Sequence, residues 1–157
     1  MTTGFDITGS WRGHYEHDGG RHGIGMRVAQ RGESFVGRMS DDDTVLSSSQ
    51  QVACIVEADG STELAQVETM GVLPEFSIVE GTVDGDRVVF DKRYQGKHTI
   101  TVWVPDRGEM HHEIPEHTVR YEGRLDDGGQ RLLGEWRIPS LIEGGKDATG
   151  AFELVRE

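Results

Sequence analysis

The stretch Gly9-Ser10-Trp11-Arg12-Gly13-His14-Tyr15-Glu16-His17 decides how the chain reads. Odd positions carry Trp11, Gly13, Tyr15 and His17, and even positions carry Ser10, Arg12, His14 and Glu16. Such a period of two marks a β-strand with one covered face and one wet face. It also gives the strand a direction: Trp11 lies where it enters and His17 where it leaves. In an up-and-down barrel, Trp11 would mark a closed end and His17 an open one.

The same alternation recurs along the chain. Further strands are predicted over about 22–30, 34–40, 75–83, 87–95, 117–125, 130–138 and 149–156. Ile24, Met26 and Val28 share one parity, as do Phe35, Gly37 and Met39, and Val88, Phe90, Lys92 and Tyr94. His117, Val119, Tyr121, Gly123 and Leu125 form another set, and Leu132, Gly134, Trp136 and Ile138 the next. Turn chemistry separates them: Asp18-Gly19-Gly20-Arg21, Arg31-Gly32-Glu33, Asp84-Gly85-Asp86 and Asp126-Asp127-Gly128-Gly129. Glycine makes up 22 of 157 residues, about twice its ordinary share of roughly 7%. That abundance fits tight turns and curved strands.

Eight antiparallel strands in chain order predict an all-β, antiparallel, up-and-down eight-stranded barrel, which has no free edges. The whole chain, 1–157, then reads as a single β-barrel domain. Successive connections alternate between ends. The long ones, about 41–74, 96–116 and 139–148, all fall on one end, so the insertions 41–74 and 96–116 are expected at one rim. The first opens with Asp41-Asp42-Asp43 and carries the apolar piece Val52 to Val56; it reads either with a short helix around 61–69 or, from the turn signal Asp59-Gly60, as an extra strand followed by a loop. The second holds an extra strand, Thr99 to Val104, then a His- and Glu-rich loop.

Gly9-x-Trp11 on the first strand of such a barrel resembles the calycin group, the lipocalins and avidins. In lipocalins that Trp closes the barrel base and an Arg from the last strand packs over it, roles that would fall to Trp11 and Arg156 here. The resemblance implies a small-molecule-binding barrel. The chain departs from lipocalins in lacking a disulfide pair and a Thr-Asp-Tyr motif, and no biotin-binding residues carry over from avidins.

Composition excludes several partners. The net charge of −12 argues against nucleic acid and against anionic membrane surfaces, both of which favour basic patches. No apolar run approaches the ~20 residues of a membrane span. The single cysteine, Cys54, allows no intrachain disulfide, and the opening Met1-Thr2-Thr3-Gly4-Phe5-Asp6 lacks a secretory pattern. A reducing, cytoplasmic setting is expected.

The inner parity places Tyr15, His17, His22, Lys92, Tyr94 and His117 at the mouth, with Tyr121 deeper. Below them Ile24, Met26, Phe35, Val88, Phe90 and Val119 form an apolar wall. A cup with polar groups at its lip is the usual form of a small-ligand pocket. His17, Tyr94 and His117 are the candidate acid–base residues. Tyr15, His22, Met26, Phe35, Phe90, Lys92 and Tyr121 are the candidate ligand contacts. Lys92 is the sharpest oddity: it either meets an anionic, enolic or phenolic ligand, or snorkels outward and pairs with an acid such as Glu80. His17 and His22 flank a turn and are expected to face each other. Six of the seven histidines, His14 excepted, map to the mouth end. Rim histidines are solvated side chains, ligand contacts or metal ligands, but His111-His112-Glu113 has no recognised metal spacing. Trp103 reads as insertion core or a lid aromatic, and Cys54 as a small buried apolar residue.

No cofactor or metal is predicted. The leading expectation is a barrel that binds a small, partly apolar, anionic or phenolic molecule. The alternative is a small cofactor-free enzyme, of isomerase or cyclase type, using the same cup. A haem carrier with one inward histidine and an interaction module using the acidic loops are further alternatives.

Overall fold

The computed structural model describes residues 5–17, 19–96, 98–105, 108–114, 118–139 and 147–157, with the side chains of 46–55, 65, 112 and 114 excluded. It comprises two compact units, one formed by 1–43, 75–95 and 117–157, the other by 44–74 and 96–116.

The first unit is the barrel. Its strands are β1 (Gly9–His17), β2 (Gly20–Arg31), β3 (Ser34–Asp41), β6 (Phe76–Asp84), β7 (Arg87–Tyr94), β10 (Thr118–Asp126), β11 (Arg131–Ile138) and β12 (Ala148–Arg156). They close in the order β1-β12-β11-β10-β7-β6-β3-β2, every neighbour antiparallel. Taken in chain order this is the expected up-and-down path, and closure removes the unpaired edge that an open sheet exposes.

The turns at one end are short. Gly32 and Gly85 adopt φ values of 64° and 61°, the left-handed region that a side chain disfavours and a hairpin turn requires. The Asp126 turn holds a single 3-10 turn, Asp127–Gly129. Trp11 lies at this end, fully buried. Its indole Nε1 donates to the Ile7 carbonyl at 2.9 Å, and the Arg156 guanidinium carbon lies 4.6 Å from the ring centroid. Arg156 also donates to the carbonyls of Thr8 and Asp6 at 2.8 and 2.6 Å. The segment before β1 is thereby strapped across the base, with a cation stacked on the plug.

At the other end the chain leaves the barrel after β3 and after β7, returning at β6 and β10. These four strands are consecutive neighbours, so both excursions depart from adjoining strand ends. The interior between the ends is packed with side chains. Phe90 stacks on Tyr121 with centroids 4.8 Å apart, Tyr121 meets Phe152 edge-on at 4.8 Å, and Phe35 meets Phe90 at 5.9 Å. An eight-stranded barrel is just wide enough for its own side chains to fill. These aromatic residues therefore act as packed core.

The second unit is a four-stranded antiparallel sheet in the order β4-β5-β8-β9, from β4 (Val45–Val56), β5 (Thr62–Val72), β8 (His98–Val104) and β9 (Gly108–Ile114). Two expectations are corrected here. The helix placed around 61–69 is strand β5, because pairing on both sides overrides the local composition. The His- and Glu-rich loop is largely strand β9. The only helical turn among the described residues is Asp127–Gly129, so no helix there is long and apolar enough to cross a membrane.

Candidate functional site

Near the loop-bearing end, the inward parity of β3 runs Phe35, Gly37, Met39 and then one step further to Asp41. The inward parity of β7 runs Val88, Phe90, Lys92 and Tyr94. Closure brings the two polar ends together, and Lys92 Nζ donates to Asp41 Oδ1 at 2.6 Å. The side chains of both residues are 1% exposed. Removing two charges from water costs several kcal/mol per ion, so such a pair persists only when its partners are well placed. Glu80, the partner expected for Lys92, is exposed on the outer face of β6 instead; it lies one residue out of inward parity, which β6 gives to Ser77 and Val79.

Three aromatic rings surround the ammonium. Its Nζ lies 4.6 Å from the centroid of Tyr94, 5.4 Å from that of Tyr15 and 6.0 Å from that of Tyr121. At such distances the π faces attract a desolvated cation. Burial pulls the Lys92 pKa down, and the Asp41 charge and hydrogen bond pull it back. Burial raises all three phenols, and the Asp41 carboxylate raises them further. The site thus holds one compensated ion pair and three neutral hydroxyls. Three of its buried polar atoms, Tyr15 Oη, Asp41 Oδ2 and Ser77 Oγ, have no hydrogen-bond partner among the described residues. Buried polar groups are nearly always satisfied, so three together mark a place that accepts further hydrogen bonds.

Above this cluster sits a second layer. His22 is directly opposite Tyr15 in the β1–β2 register, and their rings stack at 5.1 Å. His22 Nδ1 meets Asp43 Oδ2 at 2.9 Å. The expected face-to-face pairing of His17 with His22 does not form. His17 is opposite Gly20, and the two imidazoles are diagonal neighbours 6.3 Å apart. Trp136 completes the layer, 5.8 Å from His17 and edge-on to Tyr15 at 6.3 Å. Its Nε1 donates to the Glu16 carbonyl at 3.0 Å.

The structure therefore brings together Tyr15, His17, His22, Lys92, Tyr94 and Tyr121. It sets Met26, Phe35 and Phe90 in the barrel core. His117 lies outside the described residues, as does the Cys54 side chain. Among the other mouth-assigned histidines, His98 and His111 belong to strands of the second unit. There Trp103 is half-buried and donates its Nε1 to Glu109 at 2.9 Å. Asp41, Ser77 and Trp136 are site residues that sequence reasoning did not single out. Each carries the inward parity of its strand, and for Asp41 the run of three aspartates disguised that phase as a solvated loop. No group of three or more His, Cys, Asp or Glu among the described residues is placed to hold a metal ion. Comparison with known proteins finds no family model, curated protein or solved structure that matches this chain.

Proposed function

We propose that the chain is a calycin-like barrel that binds a small, partly apolar molecule at its loop-bearing end. The closed eight-stranded path and the Arg156 guanidinium over Trp11 support the calycin relationship. The observation that carries the binding role is the group of three unpartnered buried polar atoms around the Lys92–Asp41 pair. They define what the ligand offers. Tyr15 Oη is a donor, Ser77 Oγ is a donor and acceptor, and Asp41 Oδ2 is an acceptor.

Because Asp41 already compensates Lys92, an anion would meet a carboxylate within the same low-dielectric volume, where like charges repel strongly. A neutral phenol or enol instead donates to Asp41 Oδ2 and accepts from Tyr15, while its apolar body meets the Trp136 and histidine rings. Of the anionic and phenolic ligands expected from sequence, the phenolic one fits better.

Native mass spectrometry of protein purified without denaturation tests this reading. A retained neutral species of small mass is expected, released by Tyr15→Phe or Ser77→Ala in folded protein. If the wild type carries no such species, and neither phenol nor a naphthol binds with dependence on Tyr15 and Ser77, the proposal is wrong.

A further inference from the structure

We propose a second binding site, on the outer wall of the barrel, for a small ring-bearing oxyanion such as an aryl phosphate or aryl carboxylate. In the β2–β3 register Arg27 stands directly opposite Arg38. Ser10 flanks Arg27 on β1, and Ile78 flanks Arg38 on β6. In the row one step along, Arg12, Gly25, Ser40 and Phe76 are successive partners. All of these except Ile78, which lies just beyond its edge beside Arg38, line a groove of about 530 Å³.

Like charges directly opposite on a sheet destabilise it. The barrel had acids available to prevent this, for the chain has 28 Asp and Glu against 16 Lys and Arg. Arg12, Arg21, Arg87, Arg120, Arg124 and Arg131 each find a carboxylate at 2.7–3.8 Å. Two other arginine pairs also face each other, Arg87 with Arg124 and Arg120 with Arg137, and each has at least one member on a carboxylate; among the described residues neither Arg27 nor Arg38 has one. Two forks of N–H donors on facing positions, with Ser10 beside Arg27 and Ser40 in the next row, suit an oxyanion that takes hydrogen bonds from both.

The groove also specifies the body attached to that group. Phe76 and Ile78 are 43% and 37% exposed, and the Arg38 guanidinium carbon lies 4.7 Å from the Phe76 centroid. A ring carried by the anion stacks against this aromatic and apolar edge. Arg12 is already engaged by Asp42, and Glu157, which also lines the groove, disfavours a highly charged occupant. Both features select a compact anion with one charged group.

Calorimetry on the full chain tests the site with phenyl phosphate, benzoate, inorganic phosphate and phenol. Phenyl phosphate and benzoate are expected to bind about tenfold or more tighter than either half-probe, with affinity falling as salt rises. Arg27→Gln and Arg38→Gln should each weaken binding by about tenfold, Phe76→Ala should bring phenyl phosphate toward inorganic phosphate, and Arg137→Gln should change nothing. Without ligand, Arg27→Gln should keep or raise the thermal midpoint, because it relieves the facing charges. Undetectable binding of both ring-bearing anions overturns the proposal, as does affinity indifferent to Arg27 and Arg38. Equal affinity for inorganic phosphate removes the ring subsite, and a lowered midpoint in Arg27→Gln assigns the arginines a structural role instead.

Discussion

Raising the pH probes the buried cluster directly, because Tyr15, Tyr94 and Tyr121 are all the tyrosines the chain has. In the unfolded chain each phenol ionises near pH ~10. In the folded barrel burial, and then the Asp41 carboxylate, hold all three pKa values above that. A raised folded-state pKa gives stability that is complete below the unfolded value and is lost as pH rises above it. Each phenol contributes a slope of about 1.4 kcal/mol per pH unit, so three together give about 4 kcal/mol per unit above pH ~10. Lys92 acts with the opposite sign. Its folded pKa is lowered, so stability rises with pH between that lowered value and about 10.5, then levels off. The steep alkaline limb therefore belongs to the phenols, and an ordinary domain stability of about 5–15 kcal/mol is exhausted within a few pH units. The assay is tyrosinate absorbance followed together with far-ultraviolet circular dichroism. One step is expected, with tyrosinate appearing as the β signal disappears. A phenol that ionises near pH ~10 while the β signal stays intact would refute the placement of the three rings around Lys92.

Two further perturbations probe the pair and the plug. Lys92→Met leaves Asp41 buried and uncompensated and should cost about 3–5 kcal/mol, whereas Lys92→Met combined with Asp41→Leu should recover most of that loss. Denaturant midpoints of Lys92→Met, of Asp41→Leu alone and of the double variant check this, and a double variant as unstable as the sum of the singles contradicts it. Trp11→Ala should cost about 3–5 kcal/mol, measured by urea unfolding. An unchanged midpoint shows that Trp11 does not close the base.

The barrel was legible because each of its strands keeps one face buried, and a buried face writes its period of two into the sequence. From Gly9–His17 to Ala148–Arg156 the predicted strands match to within about two residues at each end. In the second unit β8 was legible, as the extra strand Thr99 to Val104, but its other strands were not, for the converse reason. Strand β4 shifts register against β5 between Ser48 and Gln51, which breaks the alternation. Thr62–Val72 carries Glu, Leu, Ala, Gln and Met, good helix formers that only pairing turns into a strand. At the site, parity placed Lys92, Tyr94 and Tyr15 correctly, but which acid meets Lys92 depends on strand order around the barrel. Asp41 and Glu80 are equally plausible by composition, and the phase of β3 and β6 decides between them.

The order β4-β5-β8-β9 carries a consequence for how this chain can change. Each excursion from the barrel contributes one hairpin, β4–β5 or β8–β9, and the β5–β8 ladder joins them. A lone two-stranded hairpin is at best marginally stable in water. Removing either excursion would leave the other as such a ribbon, with the backbone of β5 or β8 unpaired along Glu68–Val72 or Thr99–Trp103. An edge of that kind recruits strands from other molecules. The two excursions, separate in sequence, therefore form one inheritable unit: a lineage that trims the chain must lose both together, and one that lengthens it has the outer edges of β4 and β9 on which to add strands.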